Sequence, residues 1–228
     1  MHDFPTRRRL YLMRHGEVNY FEQGRPAPPE GVHLNEQGHA QAAAAALALA
    51  DISFDRVVTS GLPRTLETAA IVLGERALTV EIVPELREIR GGRLADIPAH
   101  ELRRTFVDAM TRRLSAADTF LLGESFGDFR GRVLPAFHVL IADTSWSAML
   151  LVAHGAVNRV ILADVLDLDL HGIGHIEQDA GCINLLDFDE PGYGIARLIN
   201  YTPYNPLKLG LALTTMEQYF LDFPPVEE

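Results

Sequence analysis

Two histidines in this 228-residue chain each follow an apolar run and precede a glycine. His15, preceded by Arg14, follows the run LYLM, and His154 follows the run LLVA. A further cation, Arg64, lies at the predicted start of a helix, where free backbone N–H groups favour an anion. Arginine binds phosphate oxygens with two parallel hydrogen bonds, and histidine acts as a nucleophile or a proton carrier. These residue types therefore indicate a phosphate site.

Strand-like apolar runs alternate with helical patterns along the chain. This alternation predicts right-handed crossovers and a mostly parallel central sheet covered on both faces, which is an α/β fold of the three-layer α/β/α sandwich type. In such sheets ligands bind beyond the carboxyl ends of the strands, so His15, Arg64 and His154 are expected to meet at one edge. The predicted strands are 9–13, 54–60, 78–84, 147–154, 182–189 and 194–201, and the predicted helices are 36–52, 62–74, 98–114, 125–142 and 156–166.

Packing and metal binding are the alternatives to a phosphate site. A single histidine at a strand end is often structural, but two His-Gly pairs at the same sheet edge are hard to explain by packing. A metal site needs further Cys, His or carboxylate ligands in close spacing, whereas arginines accompany His15 and His154. Because cations repel a metal and attract an anion, we predict no metal and no cofactor.

Composition limits the class of protein. The net charge of −11 argues against a nucleic-acid partner or an anionic membrane, because both require a basic surface. The single cysteine, Cys182, excludes an internal disulfide, and no apolar run has the length of a signal peptide or a membrane span. We therefore expect a cytoplasmic protein. With 47% hydrophobic residues and no linker-like segment, residues 1–228 are expected to form a single domain.

The C-terminal extension, residues 203–228, contains the stretch PLKLGLALTTMEQYFLDF, which predicts a helix with an apolar face. We expect this segment to pack against the rest of the domain. A lid over the site and a contact in a homodimer are the alternatives.

Five ordered blocks of the sequence resemble the histidine phosphatase superfamily, which is phosphoglycerate mutase-like. The blocks are LMRHGE, TSGLPRTLETA, ELREI, GES and LLVAHGAVNR, within a similarity that runs from about residue 8 to residue 200. The resemblance implies that His15 is the nucleophile that becomes phosphorylated and that Glu88 is the proton donor. It also places Arg14, Arg64 and His154 in the phosphate pocket.

The chain departs from the family pattern at several positions. Asn19 lies two positions before the family's usual asparagine, and it is assigned with the substrate-binding residues. Arg90 and Arg93 follow the proton donor, where they would either recognise a second anionic group or remain surface charges. The run of an acid followed by Arg-His-Tyr-Gly, which marks the mutases of this superfamily, is absent from the sequence. Its absence favours a phosphatase.

The chemistry of phosphoryl transfer is consistent with these assignments. A transferring phosphoryl group spreads charge over its equatorial oxygens, so two arginines and a protonated His154 would stabilise it without a metal ion. His15 must be neutral to attack phosphorus. The departing oxygen needs a proton, for which Glu88, Glu85 and Glu101 are candidates on the residues alone.

We therefore expect a metal-independent phosphomonoester hydrolase that acts on a small phosphorylated metabolite through a phosphohistidine. The alternatives are mutase-type phosphoryl transfer, a phosphoprotein phosphatase, and a non-catalytic phosphate-binding regulatory module.

Overall fold

A computed structural model describes residues 6–22, 25–26, 28–93, 96–110, 113–189 and 192–221. The strands are β1 (Arg8–Arg14), β2 (Phe21–Glu22), β3 (Arg25–Pro26), β4 (Arg56–Thr59), β5 (Val80–Ile82), β6 (Ala148–Ala153), β7 (Ile183–Phe188) and β8 (Gly194–Tyr201). The helices are α1 (Glu36–Ala48), α2 (Pro63–Leu73), α3 (Ala99–Phe106), α4 (Phe126–Ala142), α5 (Gly155–Val165) and α6 (Thr215–Leu221). None of the helices in these ranges has the length and apolar character needed to cross a lipid bilayer.

Six strands form the central sheet in the order β5-β4-β6-β1-β7-β8. The four strands from β5 to β1 are parallel, and β7 and β8 add an antiparallel edge. One apolar cluster packs α4 and α5 against one face of the sheet, and a second packs α1 and α2 against the other. The predicted α/β fold with a mostly parallel sheet between two helical layers is therefore confirmed.

The register of the parallel strands brings the polar strand ends together. Arg14 of β1 pairs with Ala153 of β6, so His15 and His154 leave neighbouring strands side by side. On the other side of β6, Thr59 pairs with Val152, which brings Ser60 to the same level. The interior residues of these strands are buried on both faces, as expected for a covered parallel sheet.

Helix α3 is shorter than predicted. It ends at Phe106, whereas the sequence pattern extends the helix to residue 114. Val107, Ala109 and Met110 are all buried. A helix with a single apolar face cannot bury so many neighbouring residues, so the chain turns after Phe106 and packs them from several sides.

The C-terminal extension is also less helical than predicted, because α6 covers only Thr215–Leu221. Lys208 and Gly210 adopt left-handed backbone conformations, and the Asn205 side chain bonds to both backbone groups of Leu209. Such local side-chain bonds compete with a helix. Within the described residues, α6 packs against α3. Residues 222–228 lie outside the described residues, and the single domain over residues 1–228 and the homodimer stay predictions.

A close contact between two glycines sets the position of α1. Gly16 follows β1, and Gly38 lies in the first turn of α1, where the Asn35 side chain caps the helix. A Cβ on Gly38 would overlap the carbonyl oxygen of Glu17, and one on Gly16 would overlap the carbonyl oxygen of Gly38. The chain after His15 therefore keeps its path only if both residues lack a side chain.

We expect Gly38→Ala to lower the free energy of unfolding by about 1–3 kcal/mol, the usual cost of forcing atoms into packed space. Phosphatase activity should fall as well, because the backbone beside His15 must move. Gly131→Ala is the matched control, since Gly131 lies in α4 and a Cβ there contacts nothing. It should raise the unfolding free energy by about 0.5–1 kcal/mol. Urea unfolding of both variants checks this, and equal effects would contradict the role of the glycine contact.

Candidate active site

His15 lies at the end of β1 with its imidazole 1% exposed. Its Nδ1 lies 2.7 Å from the carbonyl oxygen of Gly16, a pure acceptor, so Nδ1 carries the proton. The other nitrogen, Nε2, accepts a hydrogen bond from Nε of Arg64 at 3.3 Å. The lone pair of Nε2 therefore points toward the buried cation.

His154 lies immediately before α5, across from His15. The centroids of the two rings are 5.2 Å apart. Although His154 is the N-cap residue, its side chain makes no cap bond, and the ring instead places Nε2 2.8 Å from Oγ of Ser60. Its Nδ1 is buried and makes no hydrogen bond within the described part of the chain. This nitrogen is therefore free to bind an incoming group.

Both histidines are neutral in this environment. Burial lowers the pKa of His15 well below its usual range, and the charges of Arg64 and Arg14 lower it further. Burial, followed by Arg64, has the same effect on the pKa of His154. The expectation of a protonated His154 therefore does not hold for the site without an anion. A neutral His15 is what nucleophilic attack requires.

Arg14 is 4% exposed and is fixed in place by polar groups. Its Nη1 donates to the carbonyl oxygen of Gln178 at 2.5 Å, and its Nη2 donates to the hydroxyl of Tyr219 at 3.0 Å. Its Nε is buried and makes no hydrogen bond within the described residues. A Cβ on Gly155 would lie 3.5 Å from this Nε, so the free N–H faces the backbone that follows His154.

Arg64 lies in the first turn of α2, behind Pro63, which begins the helix. Its side chain is 1% exposed, and Nη1 donates to the carbonyl oxygen of Pro29 at 2.6 Å. The hydroxyl of Thr68, one turn later, donates to the Arg64 carbonyl and accepts from the N–H of Gly16. This hydroxyl ties α2 to the loop that follows His15.

Glu88 extends its carboxylate to the start of α5. Oε2 accepts from the N–H of Ala156 at 3.2 Å, and Oε1 accepts from the N–H of Ile89 at 2.9 Å. The side chain is half-buried and lines the same cavity as Arg14. Glu85 and Glu101, the alternative proton donors, are exposed and do not line this cavity.

A buried ion pair holds the loop that carries Glu88. Arg132 donates to both carboxylate oxygens of Glu124, at 2.7 and 2.8 Å. It also donates to the backbone carbonyl oxygens of Glu85, Arg87 and Glu88, at 2.6 to 3.0 Å. Burial alone would raise the pKa of Glu124, but the hydrogen bonds and charges of Arg132 and Arg90 together outweigh it and lower that pKa. The Glu124 carboxylate therefore holds Arg132 in place, and Arg132 holds the loop.

A cavity of about 770 Å³ opens next to these groups, and the buried His15 and His154 are not among its lining residues. Arg14, Arg64 and Glu88 line its polar end. The remainder of the wall is largely apolar and includes Leu62, Ile89, Phe106, Met110, Phe120, Leu121, Met216 and Tyr219. This volume falls in the range of small-molecule sites, about 300–1,000 Å³.

The structure thus brings together His15, Arg14, Arg64, His154 and Glu88, as predicted from the sequence. Their catalytic and binding roles stay predictions.

Asn19 does not join this group. It is exposed, and its Oδ1 accepts from the side chain of Asn35 at 2.9 Å. Among the described residues it bonds to none of the five residues that meet at the sheet edge, so the geometry gives no support to Asn19 as a phosphate ligand. The sequence already places Asn19 two positions from the family's asparagine.

Several residues of the site were missed in the sequence. Gln178, Thr215 and Tyr219 bond to Arg14 but lie far from it along the chain. No local motif marks these three. Arg132 has a weak signal in the sequence. It lies about two helical turns after Ser125, the last residue of the GES block, and so on the face of α4 nearest Glu124.

Comparison with known proteins places these features in a family. Residues 10–201 match the sequence model of the histidine phosphatase superfamily (branch 1). An adenosylcobalamin/alpha-ribazole phosphatase of Salmonella typhimurium is 30% identical over 196 residues, 84% of this chain and 96% of that protein. A glucosyl-3-phosphoglycerate phosphatase of Mycolicibacterium vanbaalenii is 34% identical over 173 residues, 71% of this chain and 75% of that protein. The crystal structure of the alpha-ribazole phosphatase of Shigella flexneri superposes with a TM-score of 0.71 at 27% identity, covering 84% of this chain and 96% of that chain.

The lowered pKa of the two histidines predicts how stability depends on pH. Unfolded histidines take up protons near pH 6.5, whereas His15 and His154 stay neutral until a lower pH. The free energy of unfolding should therefore decrease as pH falls below about 6.5, by up to about 1.4 kcal/mol per pH unit for each histidine. His154→Gln should remove the contribution of one histidine to this pH dependence of the unfolding free energy. The exposed His100 supplies the control variant, His100→Gln, which should keep the wild-type slope.

Urea unfolding at pH 7.5, 6.5 and 5.5 measures these slopes, with fluorescence of the single tryptophan, the buried Trp146, as the signal. The same slope in wild type and His154→Gln would contradict a buried neutral histidine at this position.

Proposed function

The chain belongs to the histidine phosphatase superfamily and is a phosphoric monoester hydrolase, and we propose that it hydrolyses a small phosphorylated metabolite through a phosphohistidine at His15. One observation carries this proposal. Nε2 of a neutral, buried His15 shares a site with two buried nitrogens, Arg14 Nε and His154 Nδ1, which have no partner in the described residues, and His154 Nδ1 is a donor when Ser60 donates to Nε2 of that ring. A tetrahedral dianion would satisfy both donors and present its phosphorus to Nε2.

The first step forms one bond and breaks one. Nε2 of His15 attacks phosphorus, a nitrogen–phosphorus bond forms, and the bond from phosphorus to the ester oxygen breaks. The Nδ1 proton stays on the ring, and Nδ1 donates a hydrogen bond to the Gly16 carbonyl, which stabilises the positive charge that develops. Glu88 donates its proton to the departing oxygen, which leaves as an alcohol.

The second step returns the enzyme to its starting state. The Glu88 carboxylate takes a proton from a water molecule, and the water oxygen attacks phosphorus. The nitrogen–phosphorus bond breaks, its electron pair returns to Nε2 of His15, and inorganic phosphate leaves. The net reaction is the addition of water to a phosphomonoester, which gives an alcohol and phosphate.

The arginines supply the charge that this chemistry needs. Arg14 and Arg64 hold two positive charges inside a site that excludes most water, where their effect on a developing negative charge is strongest. When Ser60 donates to Nε2 of His154, Nδ1 carries a proton and donates to a phosphate oxygen. The negative charge of bound phosphate raises the pKa of His154 and so favours its protonated form.

The form of the cavity supports a small substrate. The relatives include phosphatases named for alpha-ribazole and for glucosyl-3-phosphoglycerate. A cavity of about 770 Å³ between α6 and the loop that carries Glu88 suits a molecule of that size. A phosphoprotein substrate would require a shallow, open cleft, and no observation in the described residues favours a mutase.

We expect Glu88→Gln to slow the hydrolysis of an alkyl phosphate by about 100-fold or more, the usual scale of general acid catalysis. An aryl phosphate with a good leaving group should lose far less, because its oxygen departs without a proton. Glu30→Gln is the matched control, since Glu30 lines the cavity but, among the described residues, forms no hydrogen bond to α5. All assays are run in EDTA, in which the wild-type rate should be unchanged.

Steady-state kinetics on both substrates measure these losses. Equal losses on the two substrates in Glu88→Gln, or a larger effect in Glu30→Gln, would contradict the assignment of the acid. Activity that disappears in EDTA and returns with a divalent cation would contradict the metal-independent mechanism.

A further inference from the structure

One wall of the cavity consists of apolar side chains, most of which belong to a cluster apart from the main core. We call it the apolar wall, and it comprises Phe106, Met110, Phe120, Leu121 and Met216. Four of these residues belong to a separate apolar cluster that joins α3, the turn at 120–123 and α6. This cluster lies on the cavity rather than between the sheet and its helices. The side chains of this cluster that line the cavity are therefore accessible to a ligand.

A strained turn supplies the centre of this wall. The N–H of Gly123 donates to the carbonyl oxygen of Phe120 at 2.8 Å, which closes a tight turn. The two central residues, Leu121 and Leu122, both adopt left-handed backbone conformations, with φ of 51° and 59°. Turns of this kind strongly prefer Asn, Asp or Gly at these positions, and leucine is disfavoured there. Strain of this kind persists only where the surrounding structure enforces it, and it concentrates at functional sites.

The two leucines of the strained turn differ in their surroundings. The Leu121 side chain is 7% exposed and lines the cavity, whereas Leu122 is 59% exposed and lies outside the cavity. Packing with the cluster accounts for leucine at position 121. No contact of this kind accounts for Leu122.

The turn is rigidly connected to the proposed proton donor. The N–H of Gly92 donates to the Leu121 carbonyl at 3.0 Å, and the N–H of Glu124 donates to the Arg90 carbonyl at 2.8 Å. Glu124 is also the anion that fixes Arg132, which in turn holds the carbonyl of Glu88. The apolar wall therefore keeps a constant position relative to Glu88, on the side of the cavity where the leaving group departs.

Three of the four arginines that line the cavity away from its phosphate end are already paired with carboxylates, and the exposed Arg87 is the fourth. Arg90 and Arg132 both pair with Glu124, and Arg159 pairs with Glu177. Arg93 is exposed and does not line the cavity. A leaving group that extends from Glu88 along this wall would thus meet mostly apolar atoms and paired cations, with the exposed Arg87 as the one further cation among the described lining residues.

We propose that the apolar wall is the subsite for the leaving group and that the enzyme prefers phosphomonoesters whose alcohol carries an extended apolar or aromatic part. This inference rests on the proposed function, since it concerns the substrate of the same site. Leu121 is the specificity-determining residue, and Met216 of α6 completes the wall.

A series of n-alkyl phosphates tests the preference in the wild-type enzyme. Ethyl, butyl and hexyl phosphate have nearly the same leaving-group chemistry, so differences in kcat/KM report binding of the chain in the transition state. We expect kcat/KM to rise about two- to fourfold for each added methylene, as for burial of apolar surface. A constant or falling value across active substrates would overturn the inference. Absence of hydrolysis of every monoester would instead overturn the proposed function.

Two substitutions at the turn separate the wall from the backbone strain. Asparagine tolerates the left-handed conformation, so Leu121→Asn and Leu122→Asn relieve the same strain. Only Leu121→Asn places a polar group in the wall. It should lower the ratio of hexyl to ethyl kcat/KM about tenfold, mostly through the hexyl value, while Leu122→Asn keeps the wild-type ratio.

Met216→Gln provides a second variant at the wall, because Met216 lies on a half-exposed helix and its replacement does not require the turn to fold. It should also lower the hexyl-to-ethyl ratio. If folded Leu121→Asn and Met216→Gln both keep the wild-type ratio, or if Leu122→Asn lowers the ratio as much as they do, the inference is wrong. If Leu121→Asn does not fold, the hexyl-to-ethyl ratio of kcat/KM in Met216→Gln alone decides whether the inference is right.

Discussion

Two buried cations determine the rest of this site. Arg14 and Arg64 are 4% and 1% exposed, and neither forms a salt bridge within the described residues. Their N–H groups instead donate to carbonyl oxygens, to hydroxyls and to a histidine nitrogen. Removing charges from water without an opposite charge costs several kcal/mol per ion. The protein folds despite this cost, and the positive charge of two arginines without salt bridges makes the site attract a phosphate.

The same charge controls the histidines. Because two cations and burial oppose a third positive charge, His15 and His154 stay neutral, and Nε2 of His15 keeps its lone pair. The same two buried arginines therefore supply the positive charge of the site and keep the nucleophile neutral. Rigid elements hold this arrangement, since Arg14 ends a buried strand and Arg64 begins a helix that is tied to Gly16 through Thr68.

Much of this site could be predicted from the sequence, because its residues follow strands. Apolar runs predict the strands, parallel order brings the strand ends to one edge, and the register of β1 against β6 places His15 beside His154. Partners that join distant segments left a weak signal, as for Arg132, or none. Tyr219 and Gln178 reach Arg14, and Arg132 reaches the loop of Glu88, only through tertiary packing.

The errors in the predicted elements have physical causes. The stretch from residue 206 to 213 contains good helix formers, yet Asn205 caps the backbone of Leu209 and two residues take left-handed conformations. Residues 107–110 share the composition of a helix but are buried on several sides. In both segments local contacts or packing outweigh the weak intrinsic preference of the residues for a helix.

The central claim is that phosphorus becomes bound to nitrogen at His15, and rapid quenching in alkali during turnover tests it most directly. A nitrogen–phosphorus bond survives alkali and breaks in acid, unlike a phosphoserine. With a substrate labelled at phosphorus, we expect a labelled peptide that contains His15, absent in His15→Ala and still present, though formed more slowly, in His154→Ala. Label on a peptide that contains His154, or wild-type turnover in His15→Ala, would contradict the account.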